Sequence, residues 1–258
     1  MISVVIPAYR AEKSIASAIE SVLAQDTGGR ELEIVVVVDG GSDGTLAEAR
    51  RAAKETAGPG RVRVLEQKNA GPAAARNAGI GAARGEIVAF LDADDRWLPG
   101  KLAAQTAVLE ADTGIDLVGC TKNGFRYRGK KRLFEPGFGA LLKRNYFATS
   151  GVMARKAALE AAGLFDPRRR LSEDYELWLR MAHGGRVVLL NEPYVVYATG
   201  GVSSQLWAME RGELETYRIL WNEGMIGLAD YEACRLWSLA RFLARTGSVE
   251  HGRRLEGR

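Results

Sequence analysis

The segment Asp92-Ala93-Asp94-Asp95 places three carboxylates within four residues, directly after the apolar run 87–91. Like charges this close repel one another, so gathering them at the end of a buried strand is costly unless a cation binds. Side chains two apart on an extended backbone point to the same side, so Asp92 and Asp94 can face one ligand. Hard oxygen donors suit Mg²⁺ or Mn²⁺, which also take up substrate phosphate oxygens. The segment predicts a divalent-cation site, although turn-forming aspartates before Trp97 would give the same pattern.

A second acidic segment, residues 39–45 (Asp-Gly-Gly-Ser-Asp-Gly-Thr), follows a β-branched run. It matches part of an EF-hand calcium loop, but Gly41 stands at the third position and Arg50 at the twelfth, where that loop needs acids. A glycine-rich turn into a capped helix fits better. Asp39 is then free to accept hydrogen bonds from a ligand base or ribose, unless the segment serves only as a helix cap.

Two adjacent acids, Glu173 and Asp174, follow Ser172 at the predicted start of a helix. Carboxylates in a first turn complement the helix dipole, and serine is a common N-cap, so a structural role accounts for them. A general base that takes a proton from a substrate hydroxyl would have the same signature. This segment alone is compatible with both interpretations.

Strand and helix signals alternate regularly around these acids in the first half of the chain. Such alternation is typical of an α/β fold whose largely parallel sheet is covered on both faces. Ligands bind at the carboxyl ends of the strands in these sheets, which is where residues 7–10, 39–43 and 92–95 fall. The predicted strands are residues 3–6, 33–38, 61–65 and 86–91, and the predicted helices are residues 15–23, 45–57 and an alanine-rich segment from Gly71.

The second half of the chain is less regular. Its sequence predicts helices over 101–110, 156–162 and 172–183, strands over 115–120, 186–190 and 194–197, and an exposed basic hairpin over 125–134. Beyond Leu206 only helical spacing remains, and no internal repeat is present. We therefore expect one α/β domain with a short helical tail.

The composition excludes several classes of protein. Its 258 residues are 47% hydrophobic and 26% charged, as in ordinary soluble globular proteins with a sizeable core. Cys120 and Cys234 are far apart, and neither they nor the two histidines have the spacing of zinc ligands. The 36 basic and 32 acidic residues give a net charge of +4, too mild to indicate a nucleic-acid partner. No nucleic acid is expected as a ligand.

Other nucleotide-binding and targeting motifs are missing. Residues 79–85 resemble a dinucleotide GxGxxG but carry Arg84 at the sixth place, and there is no P-loop. The apolar start is shorter than a secretory signal, and no stretch reaches the length of a membrane span. A cytoplasmic location is the expectation.

Taken in order, six segments resemble glycosyltransferase family 2, the inverting group with the GT-A fold. They are residues 4–9 (VVIPAY) followed by Glu12, 38–45 (VDGGSDGT), 69–79 (NAGPAAARNAG), 90–95 (FLDADD), 163–166 (GLFD) and 173–180 (EDYELWLR). The resemblance implies a GT-A domain over residues 1–205 with a Rossmann-like, mostly parallel central sheet flanked by helices. Residues 1–100 would form its nucleotide-sugar-binding half, residues 101–205 its acceptor and catalytic half, and residues 206–258 a C-terminal helical extension.

The resemblance also implies a nucleotide-diphosphate sugar donor, linked to UDP, dTDP or GDP, together with Mg²⁺ or Mn²⁺. The nucleoside would contact Pro7, Ala8, Tyr9 and Asp39, with Glu12 nearby. Arg76 would lie close to the ribose or diphosphate. Asp92, with Ala93, would face the ribose or the metal, and Asp94 would bind the metal. Asp174 would be the catalytic base, with Glu173 as the alternative. A base must take the acceptor proton while the metal neutralises the departing diphosphate, so the acids have separate tasks.

The sequence departs from the family pattern at two places. Arg10 stands where the family often has asparagine, and the segment Tyr197-Ala-Thr-Gly-Gly201 lacks the histidine that many relatives carry after the last core strand. Hydroxyls or backbone groups of that segment would then contact the diphosphate. The alternative to an enzyme is a non-catalytic nucleotide-sugar-binding protein on the same fold.

The resemblance implies a saccharide or lipid-linked acceptor, in polysaccharide or glycoconjugate synthesis. Basic clusters at residues 130–132, 168–170 and 253–254 are either solvated faces or attraction sites for anionic lipid headgroups. The second interpretation would give peripheral contact with the inner face of the membrane. The C-terminal helices offer another possible role, as the contact between two copies of the chain in a homodimer.

Overall fold

A computed structural model describes residues 1–56, 61–198 and 206–256. The predicted helix end at residues 58–60, the segment 199–201 and the predicted domain boundary at residue 205 lie outside this part of the chain. Among the described residues, no helix is both long and apolar enough to cross a bilayer.

The first half alternates strands and helices as the sequence predicts. The strands are β1 (Ile2–Ala8), β2 (Leu32–Asp39), β3 (Val62–Gln67) and β4 (Ile87–Phe90), and the helices between them are α1 (Ile15–Leu23), α2 (Thr45–Thr56) and α3 (Pro72–Ala82). All these strands run parallel, in the order β3-β2-β1-β4. Every residue of β2 is buried, because helices cover both faces of a parallel sheet.

The second half extends the same sheet with mixed strand directions. It contains β5 (Arg96–Trp97), α4 (Lys101–Ala111), β6 (Leu117–Lys122), β7 (Leu133–Phe134), α5 (Phe138–Leu141), a 3₁₀ turn (Thr149–Gly151), β8 (Met153–Arg155), α6 (Lys156–Ala161), α7 (Glu173–Gly184) and β9 (Val187–Val196). Strand β8 lies antiparallel between β4 and β6, and β9 runs parallel to β6. Strands β5 and β7 both pair antiparallel with β9.

Two sequence predictions in this half are wrong. The hairpin over 125–134 does not form, since only β7 is extended and it pairs with β9. Left-handed turns at Gly124 and Gly129 bend the chain twice, and the Asn191 side chain accepts the Tyr127 N–H at 2.7 Å, which uses a donor that a hairpin ladder needs. The two strands predicted over 186–190 and 194–197 are one strand, β9. It accommodates Pro193 where its register against β6 shifts.

The sheet separates two apolar cores because alternate side chains of a strand point to opposite faces. In β1, Val4 and Ile6 pack with α1, α2 and α4, whereas Val5 packs into the core formed with α3, α6 and α7. The polar edge of the sheet lies where β1, β2 and β4 end. Ala8 is opposite Val38, and the chain leaves β4 just before Asp92, so the predicted loops share one rim.

Two helices follow the sheet, α8 (Leu206–Asn222) and α9 (Leu228–Glu256), which confirms that the C-terminal tail is helical. They are part of the second core, where Tyr217 is fully buried. Helix α8 approaches the loop before α7 at Gly212, where a Cβ would lie 2.5 Å from the Ser172 Oγ atom. The tail therefore packs against the segment that carries the predicted base.

Candidate active site

A cavity of about 620 Å³ opens at the rim where β1, β2 and β4 end. Its walls come from the loops after those strands, the start of α3 and the start of α7. The structure brings together there nearly every residue that the sequence assigned to the site: Pro7, Ala8, Tyr9, Asp39, Arg76, Asp92, Ala93, Asp94, Glu173 and Asp174. Glu12 is the exception. Its carboxylate accepts the Gly44 N–H at 3.1 Å and fixes the loop before α2.

The guanidinium of Arg76 connects the two acidic sides of the cavity. It donates to Asp92 at 2.7 Å and to Glu173 at 2.8 Å, and it lies 5.4 Å above the Phe165 ring. Burial opposes the charged form, but Asp92 and then Glu173 outweigh burial and raise the pKa of Arg76. Arg76 is 5% exposed, so its main contacts are these carboxylates. This geometry favours a role in positioning the acids over the predicted contact with ribose or diphosphate.

Asp94 differs from Asp92 because no basic side chain of the described residues forms an ion pair with it. It is exposed to the cavity, and partial burial together with the charge of Asp92 raises its pKa. An acid held near a like charge gains most from a bound cation. Asp94 is thus the carboxylate that is available for a metal.

The described residues contain no group of three or more His, Cys, Asp or Glu side chains arranged to hold a metal by themselves. Asp94 and Asp92 supply oxygen ligands from one loop, which fits Mg²⁺ or Mn²⁺ if water and substrate oxygens complete the coordination. The chemistry of the donor set therefore suits a cation that arrives with a phosphorylated substrate.

Asp95, the third acid of the loop, has a structural role. It is 2% exposed, accepts the Ser150 hydroxyl at 2.5 Å and accepts the Ala198 N–H at 2.7 Å. Burial raises its pKa to about 6, although these hydrogen bonds oppose the rise. Ser150 also accepts the Asp92 N–H at 3.0 Å, so the turn Thr149–Gly151 holds the acidic loop in place through hydrogen bonds to Asp92 and Asp95.

Asp174 lies in the first turn of α7 at the wall of the cavity. Its carboxylate accepts the Thr149 hydroxyl at 3.0 Å and the Tyr175 N–H at 2.7 Å. Burial, and next the charge of Glu173, raises the pKa of Asp174 to about 6, against the opposing effect of Arg76. Ser172 before it has a left-handed backbone (φ 54°) and makes no capping hydrogen bond, so the predicted serine cap is wrong. A carboxylate with a pKa near neutrality is suited to proton transfer.

Glu173 is less available as a base than its neighbour because its carboxylate forms an ion pair with the Arg76 guanidinium, whereas Asp174 accepts hydrogen bonds from a hydroxyl and a backbone N–H. The Glu173 side chain is also only 12% exposed to solvent, whereas Asp174 is half-buried. The geometry therefore favours Asp174 over Glu173 for the base that the family resemblance implies.

The Asp39 carboxylate is held by neighbouring groups, and its contact with a ligand base or ribose stays a prediction. Both of its oxygens are engaged, one by Gln67 (2.7 Å) and the Ala70 N–H (2.8 Å), the other by the Gly71 N–H (2.8 Å). Asp39 lines the cavity, but its carboxylate fixes the loop that leads into α3. The chain passes so close that a Cβ on Gly40 would lie 2.9 Å from the Asn69 nitrogen, and Gly40 is also left-handed (φ 69°).

The comparison with protein families identifies the group to which this site belongs. Residues 3–162 match the sequence model of Glycosyl transferase family 2. The chain belongs to this family. It is 33% identical over 221 residues to the succinoglycan biosynthesis protein ExoU of Rhizobium meliloti. This alignment covers 74% of this chain and 59% of ExoU. The chain is 31% identical over 224 residues to an uncharacterized glycosyltransferase of Nostoc sp., covering 80% and 67%. The chain thus spans about three fifths to two thirds of the length of these relatives.

Two solved structures show the same fold. Residues 1–349 of S. aureus TarS, in complex with UDP-GlcNAc, align with a TM-score of 0.72 at 23% identity, covering 96% of this chain and 72% of that one. The mannosyltransferase PcManGT from Pyrobaculum calidifontis, in complex with GDP-Man and Mn²⁺, aligns with a TM-score of 0.68 at 21% identity, covering 96% and 75%. These likenesses confirm the predicted GT-A fold.

The cavity of this family 2 protein also contains Thr149 and Arg170, to which the sequence reasoning gave no role in the site, and Arg10, which it noted as a departure from the family pattern. Thr149 contacts the predicted base, and Arg10 and Arg170 are exposed cations on the wall. The turn that carries Thr149 has no periodic signal, whereas the cluster 168–170 was treated as one unit. The structure divides it: Arg168 is exposed, Arg170 lines the cavity and Arg169 is buried, donating to Thr216 at 2.8 Å.

The segment after β9 departs from the family pattern but is fixed in place up to Ala198. The Tyr197 N–H donates to Asn123 at 2.7 Å, and the Ala198 N–H donates to Asp95. Both residues line the cavity. The predicted contact between diphosphate and the glycines beyond them falls outside the described residues.

Proposed function

We propose that the protein is a metal-dependent, inverting glycosyltransferase that moves a sugar from a nucleotide-diphosphate donor to an acceptor hydroxyl. The observation that carries this proposal is the Arg76 guanidinium, which connects the acidic loop of Asp92 and Asp94 to the start of α7 across one cavity. This arrangement supports the proposal because the acids that would hold the metal and the acid that would transfer the proton then lie on one polar wall. Family membership supports the reaction class.

The donor would lie with its nucleoside against Pro7, Ala8 and Tyr9 at the end of β1. Tyr9 is 47% exposed, so its ring is available for stacking on a base. The diphosphate would face Asp94 and the exposed cations Arg10 and Arg170. Mg²⁺ or Mn²⁺ held by Asp94, with Asp92 beside it, would supply Lewis-acid stabilisation of the diphosphate charge.

Asp174 would act as the general base. It takes the proton of the acceptor hydroxyl while the acceptor oxygen bonds to the anomeric carbon and the bond from that carbon to the diphosphate oxygen breaks. The nucleoside diphosphate departs with the bonding electron pair, so one displacement inverts the anomeric centre. The Thr149 hydroxyl and the Tyr175 N–H orient the carboxylate for this transfer.

The named relatives support a proposal for the class of donor and for the biological role. The TarS structure holds UDP-GlcNAc, the PcManGT structure holds GDP-Man, and ExoU is a succinoglycan biosynthesis protein. We propose a UDP-, dTDP- or GDP-linked sugar as donor and a role in polysaccharide or glycoconjugate synthesis. The retained acid at Asp174 favours an enzyme over a protein that only binds nucleotide sugars.

Calorimetry with UDP, dTDP and GDP in Mn²⁺ and in EDTA tests the metal assignment. We expect at least one of these nucleotides to bind in Mn²⁺, to bind much more weakly in EDTA, and to lose the metal effect in Asp94→Asn. Asp230→Asn, an exposed change on α9, is the matched control and should bind like wild type. Metal-independent binding of equal strength would exclude the proposed role of Asp94.

A further inference from the structure

The outer face of α9 is apolar although it points away from the rest of the molecule. The inner face holds Cys234 and Ser238, which are buried, and the Ser238 hydroxyl donates to Glu210 of α8 at 2.8 Å. On the outer face, Leu236 and Leu243 are 67% and 68% exposed. A surface helix normally presents polar side chains to water, so this outer face indicates a surface that a partner covers.

Other large apolar side chains extend the outer face of α9 to both sides. Trp237 and Leu239 flank Leu236 and are 48% and 36% exposed. Trp207 of α8, whose ring centre lies 4.7 Å from that of Phe242, is 65% exposed. With the leucines these side chains expose on the order of 700 Å² per chain, close to the roughly 800 Å² that each partner buries in a standard-size protein interface. The area is therefore sufficient for a stable contact, and tryptophan is enriched in such contacts.

The outer face also has the spacing by which helices pair. Its exposed row is formed by Ala229, Ala233, Leu236, Ala240 and Leu243, at intervals of four, three, four and three residues. This 3.5-residue period is the a/d pattern of helices whose side chains interdigitate along a shared seam. The row therefore favours another α-helix as the partner.

The order of small and large side chains along this row is self-complementary in an antiparallel pair. When two copies of α9 cross at a two-fold axis beside residue 238, Leu236 of each copy lies opposite Ala240 of the other. The next layer outward joins Ala233 and Leu243 in the same way. Every layer then combines one large and one small side chain, as close packing requires. Parallel pairing would instead set leucine against leucine and alanine against alanine.

The charges of α9 favour a protein partner over an anionic lipid surface. Each arginine of this helix up to residue 245 forms an ion pair with a glutamate. The pairs are Arg235 with Glu232 at 2.9 Å, Arg241 with Glu213, and Arg245 with Glu210 at 3.6 Å. The last two pairs reach back to α8. Among the side chains described in α9, the outer face therefore lacks the row of outward cations with which interfacial helices bind anionic headgroups.

We infer that a second copy of this chain binds the outer face of α9, so that the two α9 helices pair antiparallel about a two-fold axis beside residue 238. Such a contact uses the same patch on both copies, which is the commonest arrangement of homo-oligomers. Leu236 and Leu243 are buried against alanines of the other copy, and Trp237 and Leu239 close the contact on either side. The inference depends on α8 and α9 alone and is independent of the proposed function.

Sedimentation equilibrium of the full chain, from about 1 to 100 µM, tests the inference. We expect wild type to form dimers, and Leu236→Lys and Ala240→Glu each to raise the dissociation constant about tenfold or more, because each places charges in the seam. An equimolar mixture of these two variants should regain dimers, since antiparallel pairing sets the introduced lysine against the introduced glutamate. Leu133→Lys is the matched control, because Leu133 is also apolar and exposed (39%) but lies on β7.

The positions changed on α9 are exposed, so circular dichroism should show that every variant folds like wild type. Wild type that stays monomeric at the highest concentration would overturn the inference, as would dimers that Leu236→Lys leaves unweakened. A mixture of Leu236→Lys and Ala240→Glu that remains monomeric would exclude the antiparallel register. Sedimentation of monomeric wild type, but not Leu236→Lys, with phosphatidylcholine–phosphatidylglycerol vesicles would show that the outer face binds lipid instead of a second copy.

Discussion

Replacing Arg76 by methionine tests whether the buried guanidinium holds the site together. The change removes two charge-assisted hydrogen bonds, of 2.7 Å to Asp92 and 2.8 Å to Glu173, and leaves both carboxylates without their cation. Removing one partner of a fully buried ion pair costs about 3–5 kcal/mol. The Asp92 side chain is 25% exposed and can be partly hydrated, so we expect the lower end, about 3 kcal/mol.

Urea unfolding followed by circular dichroism measures this cost, with Arg51→Met as the matched control. Arg51 also contacts two carboxylates, Glu48 and Glu55, but on the exposed surface of α2. Water screens such a contact, so its loss should leave the unfolding midpoint almost unchanged. If Arg76→Met and Arg51→Met unfold at the same urea concentration, the buried connection across the cavity is refuted.

Two further predictions concern pH. The transfer rate at low substrate should rise as pH increases through about 6 and then level off, because Asp174, whose pKa is raised to about 6, must be ionised to accept a proton; a pH-independent rate from 5 to 8 would contradict this. Burial lowers the pKa of Lys101 to about 8 against an ordinary 10.5. The unfolded chain thus holds this proton at higher pH than the folded protein, and wild-type stability should rise between about pH 8 and pH 10. The stability of wild type relative to Lys101→Met should therefore rise by about 3 kcal/mol over that range in urea titrations; a constant difference would contradict the shift.

The sequence alone predicts those parts of the fold in which each helix or strand has a clear local pattern of residues. Strand β2 contains the β-branched run 34–38, and the acidic loops follow β2 and β4 in the expected places. The rim of the donor cavity was predictable because parallel strands align their carboxyl ends. The hairpin prediction failed because apolar residues at 125–134 are drawn into a local aromatic cluster, a tertiary effect that periodicity does not contain.

The side-chain contacts of the site depend on distant residues and could not be predicted. Arg76 meets Glu173 across 97 positions of sequence, and Thr149 reaches Asp174 from a single 3₁₀ turn. The hydrogen bonds that the Asp39 carboxylate accepts come from the Gln67 side chain and from the backbone N–H groups of residues 70 and 71, and backbone groups carry no side-chain signal in a sequence. The sequence predicts that the acids lie at one rim of the sheet, and only the structure shows which carboxylates already have partners within the protein.

Turnover of Asp174→Asn tests the central claim most directly. The assay uses the nucleotide sugar that most stabilises wild type in a thermal-shift screen with Mn²⁺, and measures release of nucleoside diphosphate with acceptor present. We expect unchanged nucleotide affinity and turnover lowered by about 10²–10⁴-fold, the contribution of a general base. Asparagine keeps the shape and can still bind the Thr149 hydroxyl, so folding should be retained. Turnover within a few-fold of wild type would contradict the assignment of Asp174 as the base.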